Sequence, residues 1–451
     1  MIRVLHVIQQ LSSGGASKAL EALITSAERS SHSVLSLIPT GRKANERLLA
    51  SGIPIIQKPS KEEVDRYVRE ADIVQIHFWN TPELYKFMET PRSCRIVIWT
   101  HVEGLTAPHI VIPQLTNYSN ALVHTCYQKE SDSYYILPRS PHTFKPEERS
   151  NNQNQPLCVG IFGTLHSSRM CVKAIEVFAM ADCQGSQLLI VGQGDLVPVW
   201  KQRVAKLNLH GKVIFRGFVD DVGRELANMD VLLHLPKPGC YATADLALQE
   251  ALLTGVVPIV LDGTAVANLV RHEIDGLVAI DEHQSVQFLQ RLDKDRKLLQ
   301  GMREAGQERA KYEFHPCGCA REFEALYERI FQMPKQVRSL ILTKGDNGAE
   351  RFMASIGDAS IPFQISAKRA SGWQAADKQI ADSNSAIAGA GAGGILHYRG
   401  VYPDDPFLRY WAGLVLAASG RSALAAAEFD AASKAGIIGV SAHLKRCLHS
   451  Q

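Results

Sequence analysis

The sequence predicts an α/β protein in which two Rossmann-like domains face each other across a cleft, followed by a small, mainly helical C-terminal region. Three observations predict this. Short β-rich apolar runs alternate with helical stretches over residues 1–150, the alternation restarts after a polar segment, and it stops near residue 334. Alternation of strand and helix leaves successive strands parallel and covered on both faces, so each strand reads as a continuous apolar run.

In the first half, residues 3–7, 33–38, 72–76, 95–99 and 121–124 are such runs. Residues 149–156 are polar up to a proline and make a natural linker. Beyond it the runs are 157–162, 187–191, 212–215, 231–235, 257–261 and 277–280. The predicted units are therefore a domain over 1–150, a second over 151–333 and a helical extension over 334–451. In the extension, Gly413, Gly420, Ala425, Phe429 and Ala432 have the spacing of one tetratricopeptide-like helix pair, and an Ala/Gly tract covers 386–394. One such pair cannot bury its own face. It serves either as a structural cap or, over 400–451, as a docking surface for a protein partner.

Composition sets outer bounds. With 451 residues, 45% hydrophobic and 21% charged, there is ample core for two or three domains. A net charge of +3 makes no case for nucleic acid. Nine irregularly spaced cysteines form no disulfide framework and fit a reducing, cytoplasmic setting. The opening run 1–8 carries no cleavage site and reads as a strand. No run approaches the roughly 18–20 apolar residues that span a bilayer, which leaves peripheral contact with the inner face of a membrane as the only membrane role considered.

Ligands of such folds sit beyond the carboxyl ends of the strands. After the first strand comes Gly14-Gly15, opening a helix whose Ala16, Ala19, Leu20, Leu23, Ile24 and Ala27 share a face. Two glycines there let a ligand approach free N–H groups that attract phosphate. His77 and His101, the latter followed by Glu103, end first-domain strands. The second domain carries four stretches in order. Gly160 to Gly163 and Thr164 lead to Arg169, a cation placed to neutralise a diphosphate. Leu188-Leu189-Ile190-Val191-Gly192-Gln193-Gly194 is a buried strand ending in a glycine turn, and Gly217-Phe218-Val219-Asp220-Asp221 opens a loop. The fourth runs from Pro236 to Val260 and predicts a helix with Thr243 as N-cap and Gly255 after its end. Glu250 is the one acid in the body of that helix, and a buried carboxylate needs partners. Sugar hydroxyls and a structural salt bridge both qualify. His315, Cys317 and Cys319 are too crowded for a zinc site, so no metal is expected.

Taken in this order over roughly residues 1–330, these elements resemble the retaining glycosyltransferases of family 4, which have the GT-B fold. The resemblance implies transfer of a sugar from a nucleotide-sugar co-substrate to a glycan, lipid-linked or protein acceptor, with neither cofactor nor metal. It implies that Glu250 grips the ribose and Arg169 the diphosphate. It puts Phe218 and Val219 near the base, and the amides of Thr243, Ala244, Asp245 and Leu246 on phosphate and donor sugar. His101, with Glu103 beside it, would contact the donor sugar or orient the acceptor. Gly14, Gly15, Gly163 and Thr164 complete the donor site. The first glutamate of the family's pair falls on Ala242 and the first basic residue on Thr164, so a non-catalytic, glycosyltransferase-like binding subunit is the competing expectation. An epimerase or a phosphorylase on the same scaffold is a further one.

Overall fold

The computed structural model describes the chain except residues 13, 41–47, 127–133, 140–143, 148–154, 220, 238–239, 241–243, 344–346, 370 and 450–451. Two parallel sheets carry it. The first contains β1 (Ile2–Ile8), β2 (Ser30–Ser36), β3 (Ile55–Gln57), β4 (Ile73–Phe78), β6 (Ile96–Thr100), β7 (Ala121–His124) and β8 (Tyr134–Tyr135), in the order β3-β2-β1-β4-β6-β7-β8. The short β5 (Arg92–Cys94) stands apart. The second sheet contains β9 (Cys158–Thr164), β10 (Gln187–Gln193), β11 (Val213–Gly217), β12 (Val231–His234), β13 (Val257–Leu261) and β14 (Leu277–Ala279), in the order β11-β10-β9-β12-β13-β14. Each apolar run read from the sequence lies on one of these strands. The short β3, β5 and β8 have too few apolar residues to stand out. Most of the predicted linker, residues 149–154, lies outside the described residues.

In each sheet the strand order reverses once, between β1 and β4 in the first and between β9 and β12 in the second. At such a point the outgoing connections diverge to opposite faces and leave a crevice at the carboxyl ends. Gly14, Gly15 and His77 lie at the carboxyl ends of β1 and β4, and Thr164, Arg169 and Asp245 follow or end β9 and β12, whereas Phe218 and Val219 follow β11 at the edge of the second sheet.

The chain then crosses back. Helix Arg296–Glu313 packs on the second domain, with Met302 and Ala310 in its cores. Helix Pro316–Phe331 returns to the first sheet, where Phe323, Leu326, Tyr327 and Ile330 bury against Val4, Ala19, Leu23 and Trp99. After it, β15 (Gln336–Arg338) pairs antiparallel with β5, and Leu340 and Leu342 enter the first-domain core. The remaining helices form a core of their own around Phe352, Tyr398, Trp411 and Phe429. Helices Pro406–Ala418 and Ser422–Lys434 pack closely, and a Cβ on Gly413 would stand 2.6 Å from the Phe429 ring. The Ala/Gly tract is where this region meets the first domain: a Cβ on Gly393 would lie 2.6 Å from the Asn80 carbonyl oxygen. His397 Nε2 lies 3.0 Å from Glu83 Oε1. Among the described residues, no helix is long and apolar enough to cross a membrane.

Candidate active site

On the first-domain side, β1 ends at Ile8 and helix Gly15–Ser26 begins with Gly14 at its N-cap. Gly14 has φ −78°, and a Cβ on Gly15 would meet nothing within 4 Å. The fold therefore does not require glycine at position 15; free access to an exposed helix start is what the absent Cβ provides. One turn on, Lys18 Nζ reaches 3.3 Å to Glu250 Oε1 in the second domain. His77 is the last residue but one of β4 and His101 follows β6, their rings stacked at 5.2 Å and joined by a 2.9 Å hydrogen bond. Both are buried, and burial pushes the His101 imidazole down to about 3. Half-buried Glu103 is raised above its ordinary value by the same desolvation.

On the second-domain side, Gly163 and Gly192 are paired next to the ends of the neighbouring strands β9 and β10. Gly192 has φ +137°, and a Cβ there would lie 2.0 Å from the Gly163 carbonyl oxygen. Gly194 approaches the Leu165 carbonyl as closely. These glycines answer strand-end crowding, which also keeps the floor of the crevice open. Thr164 is exposed at the end of β9, and Phe218, 53% exposed, stands with Val219 on the loop after β11. The buried Ala244 lines a cavity of about 350 Å³ shared with Thr125, Cys126 and Tyr135 of the first domain and with Ala265, Asn268 and Leu269 of the second.

The helix carrying Glu250 starts later than its sequence suggests. It spans Leu246–Thr254, with Asp245 as its N-cap, and ends at Gly255 in the left-handed conformation (φ +79°). Thr243, the expected cap, and Ala242 lie outside the described residues. Of the described amides expected to face phosphate, those of Ala244, Asp245 and Leu246, only that of Leu246 belongs to the helix.

Asp245 also changes the role open to Arg169. Its carboxylate binds Arg169 Nη2 and lies 2.7 Å from His234 Nε2. Burial alone would raise this acid, but the charges and hydrogen bonds of Arg169 and His234 hold it well below the usual carboxylate range. It has φ +28°, in the region that favours glycine, which two charge-assisted bonds help to sustain. Arg169 is thus the partner of an internal anion at the helix start, where a cation awaiting diphosphate was expected.

Glu250 is 2% exposed and engaged by Lys18. The residues missed by sequence reasoning are Lys18 and His234. His234 ends β12 as His77 nearly ends β4, a signal that was available. Lys18 shares no pattern with Glu250, since their meeting needs both domains folded. His315 caps helix Pro316–Phe331 and Cys319 sits in the first-domain core.

Residues 155–295 match the family model "Glycosyl transferases group 1". An uncharacterized glycosyltransferase of Bacillus subtilis, YqgM, is 25% identical over 163 residues, covering 35% of this chain and 45% of that protein. Among solved structures, Anabaena Alr3699/HepE in complex with UDP-glucose superposes with a TM-score of 0.58 at 17% identity, covering 73% of this chain and 100% of that one. Sucrose-phosphate synthase of Thermosynechococcus elongatus gives 0.53 at 14%, covering 73% and 99%. The chain therefore has the GT-B fold, and its residues 155–295 resemble the glycosyl transferases group 1.

Proposed function

We propose that this protein transfers a sugar from a nucleotide-sugar donor to a glycan, lipid-linked or protein acceptor, with retention at the anomeric carbon. The observation that carries the reading is the meeting of both crevices: Lys18, one turn into the Gly14-Gly15 helix, touches Glu250, buried in the helix opposite. A donor spanning that contact has its nucleotide on the second domain and its sugar toward His101. Glu250 then exchanges its lysine contact for ribose hydroxyls. Departure of the nucleotide builds negative charge on the diphosphate, which the N–H groups at the Leu246 and Gly15 helix starts and Arg169 stabilise electrostatically. The positive charge at the anomeric carbon needs no covalent nucleophile from the protein. Gly163 and Thr164 border the phosphates, Phe218 and Val219 the base, and His101 with Glu103 the transferred sugar. The helix pair 406–434, read as tetratricopeptide-like, is a candidate surface for a protein partner.

The experiment is a panel of UDP-, GDP- and ADP-sugars without added metal, followed by thermal stabilisation and nucleotide release. UDP-glucose leads the panel because HepE, of similar fold, was solved with it. One donor is expected to stabilise the protein and release nucleotide. Glu250→Ala is expected to weaken its binding about 10–100-fold, from the loss of a buried, charged hydrogen-bond acceptor worth roughly 1.5–3 kcal/mol. A second reading, a non-catalytic binding subunit, is favoured by Asp245, which already neutralises the cation at the phosphate position. Absence of stabilisation by every donor would decide for it.

A further inference from the structure

The buried histidines of the first sheet form one continuous chain. His101 Nε2 lies 2.9 Å from His77 Nδ1, His77 Nε2 3.0 Å from His6 Nδ1, and His6 Nε2 2.8 Å from His32 Nδ1. His32 Nε2 is 3.0 Å from Ser30 Oγ, and Ser30 Oγ is 3.0 Å from Glu324 Oε1 on helix Pro316–Phe331. Parallel register builds this staircase. Val4 pairs with His32, His6 with Gln75, and His77 with Trp99. Each histidine therefore sits two residues nearer the carboxyl end than the residue paired with its predecessor, on the same face of the sheet. The staircase climbs from the amino end of β2 to the mouth of the crevice at His101.

Burial makes all four rings neutral. It pushes His32 to about 4 and His101 to about 3, and holds His6 and His77 well below the ordinary histidine value. A neutral ring has one N–H, so every N···N contact has a single donor and the donors must all point the same way.

Glu324 sets that way. Burial would raise its carboxyl, but the Arg29 backbone N–H at 2.5 Å, the Ser30 hydroxyl and the Arg29 side chain hold it below its ordinary value. As a carboxylate it only accepts. Ser30 has one hydroxyl proton, and the bond to the charged acceptor is the stronger use of it. Its oxygen then accepts from His32 Nε2–H, His32 Nδ1 from His6 Nε2–H, His6 Nδ1 from His77 Nε2–H, and His77 Nδ1 from His101 Nε2–H. The array ends in a bare Nδ1 on His101.

We propose that Glu324, Ser30, His32, His6 and His77 are positioning residues that lock His101 as its Nε2–H tautomer, so that Nδ1 accepts a hydrogen bond from a substrate hydroxyl and turns away phosphate oxygens. The ligand's identity as a sugar hydroxyl rests on the glycosyltransferase reading; the tautomer does not. Use of the array as a proton wire is the weaker alternative. Its terminal carboxylate is held acidic, and one transfer would leave every ring in the reversed tautomer.

The test is long-range ¹H–¹⁵N spectroscopy of imidazoles in the full, ¹⁵N-histidine-labelled protein near neutral pH, with His101 assigned by its loss in His101→Asn. His101 protonated at Nε2, with scalar coupling across the His101–His77 bond, is the expected result; protonation at Nδ1 in the unmodified protein overturns the proposal. Ser30→Ala removes the anchor and is expected to give a mixture of His101 tautomers, while Ser30→Thr restores the single form. An unchanged pure tautomer in Ser30→Ala also overturns it. A protein that binds no donor but holds His101 as Nε2–H would sink the glycosyltransferase reading and uphold the array.

Discussion

Two pairs of residues separate what the backbone demands from what a ligand would demand. Gly192 has a left-handed backbone and a neighbouring carbonyl 2.0 Å from any Cβ, whereas Gly15 has open space. Gly192→Ala should therefore cost roughly 2–4 kcal/mol in denaturant unfolding, from strain and overlap together. Gly15→Ala should leave stability unchanged or raise it by about 0.5–1 kcal/mol, since alanine loses less entropy in a helix. It should nevertheless weaken donor-induced thermal stabilisation; equal donor response in both proteins would mean that Gly15 does not face the ligand. The second pair is Arg169 and Asp245. The sequence placed a cation between a strand and a helix, and the fold adds an anion from the connection after the neighbouring strand β12, so Arg169 is paired before any ligand arrives.

At the scale of elements, the histidine staircase couples sheet register to pH. His6, His32, His77 and His101 have folded-state values below the usual 6.5. Below pH 6.5 the unfolded chain binds protons that the folded one refuses. Stability is thus complete above about 6.5 and is lost as pH falls toward the folded values of about 4 for His32 and about 3 for His101. By pH 5 each such histidine should contribute a loss on the order of 2 kcal/mol. Denaturant unfolding at pH 7.5 and pH 5 measures this, and His32→Gln should reduce the difference by one histidine's share, on the order of 2 kcal/mol. A pH-independent midpoint would mean that the rings take up protons in the fold as readily as in the unfolded chain. The histidines were legible only singly: His77 and His101 were read at strand ends, while His6 lies within the run 1–8 and His32 just before the run 33–38, and neither was given a role. Their alignment depends on β2, β1, β4 and β6 lying side by side, an order that the chain does not follow.

At the scale of the whole molecule, the C-terminal region is continuous with the first domain. Leu340 and Leu342 fill its core, and Arg351 grips Glu89 through three contacts of 2.9–3.2 Å. Asn80 donates to the Ser355 carbonyl oxygen. A chain ending at residue 333 should lose the two leucines, worth roughly 1.5–3 kcal/mol each, and the strand paired to β5. A lower melting temperature and binding of an apolar dye are expected. An unchanged melting temperature would mark the extension as a separate module. His397 against Glu83, near Gln9 at the end of β1, also brings this region to the rim of the first crevice.

By itself the sequence determined the class of the molecule: parallel strands, two α/β units, helices at the end, and glycines and a cation where strands meet helices. These follow from local periodicity and from backbone chemistry, which short segments carry without reference to the rest of the chain. Only the tertiary structure decided the partners. Lys18 with Glu250, Asp245 with Arg169 and His234, and four histidines with Glu324 are separated by up to hundreds of residues, and a side chain's charge state depends on the burial and neighbours that folding supplies. The same carboxylate that periodicity locates on a helix is therefore given its role by what stands across the cleft from it.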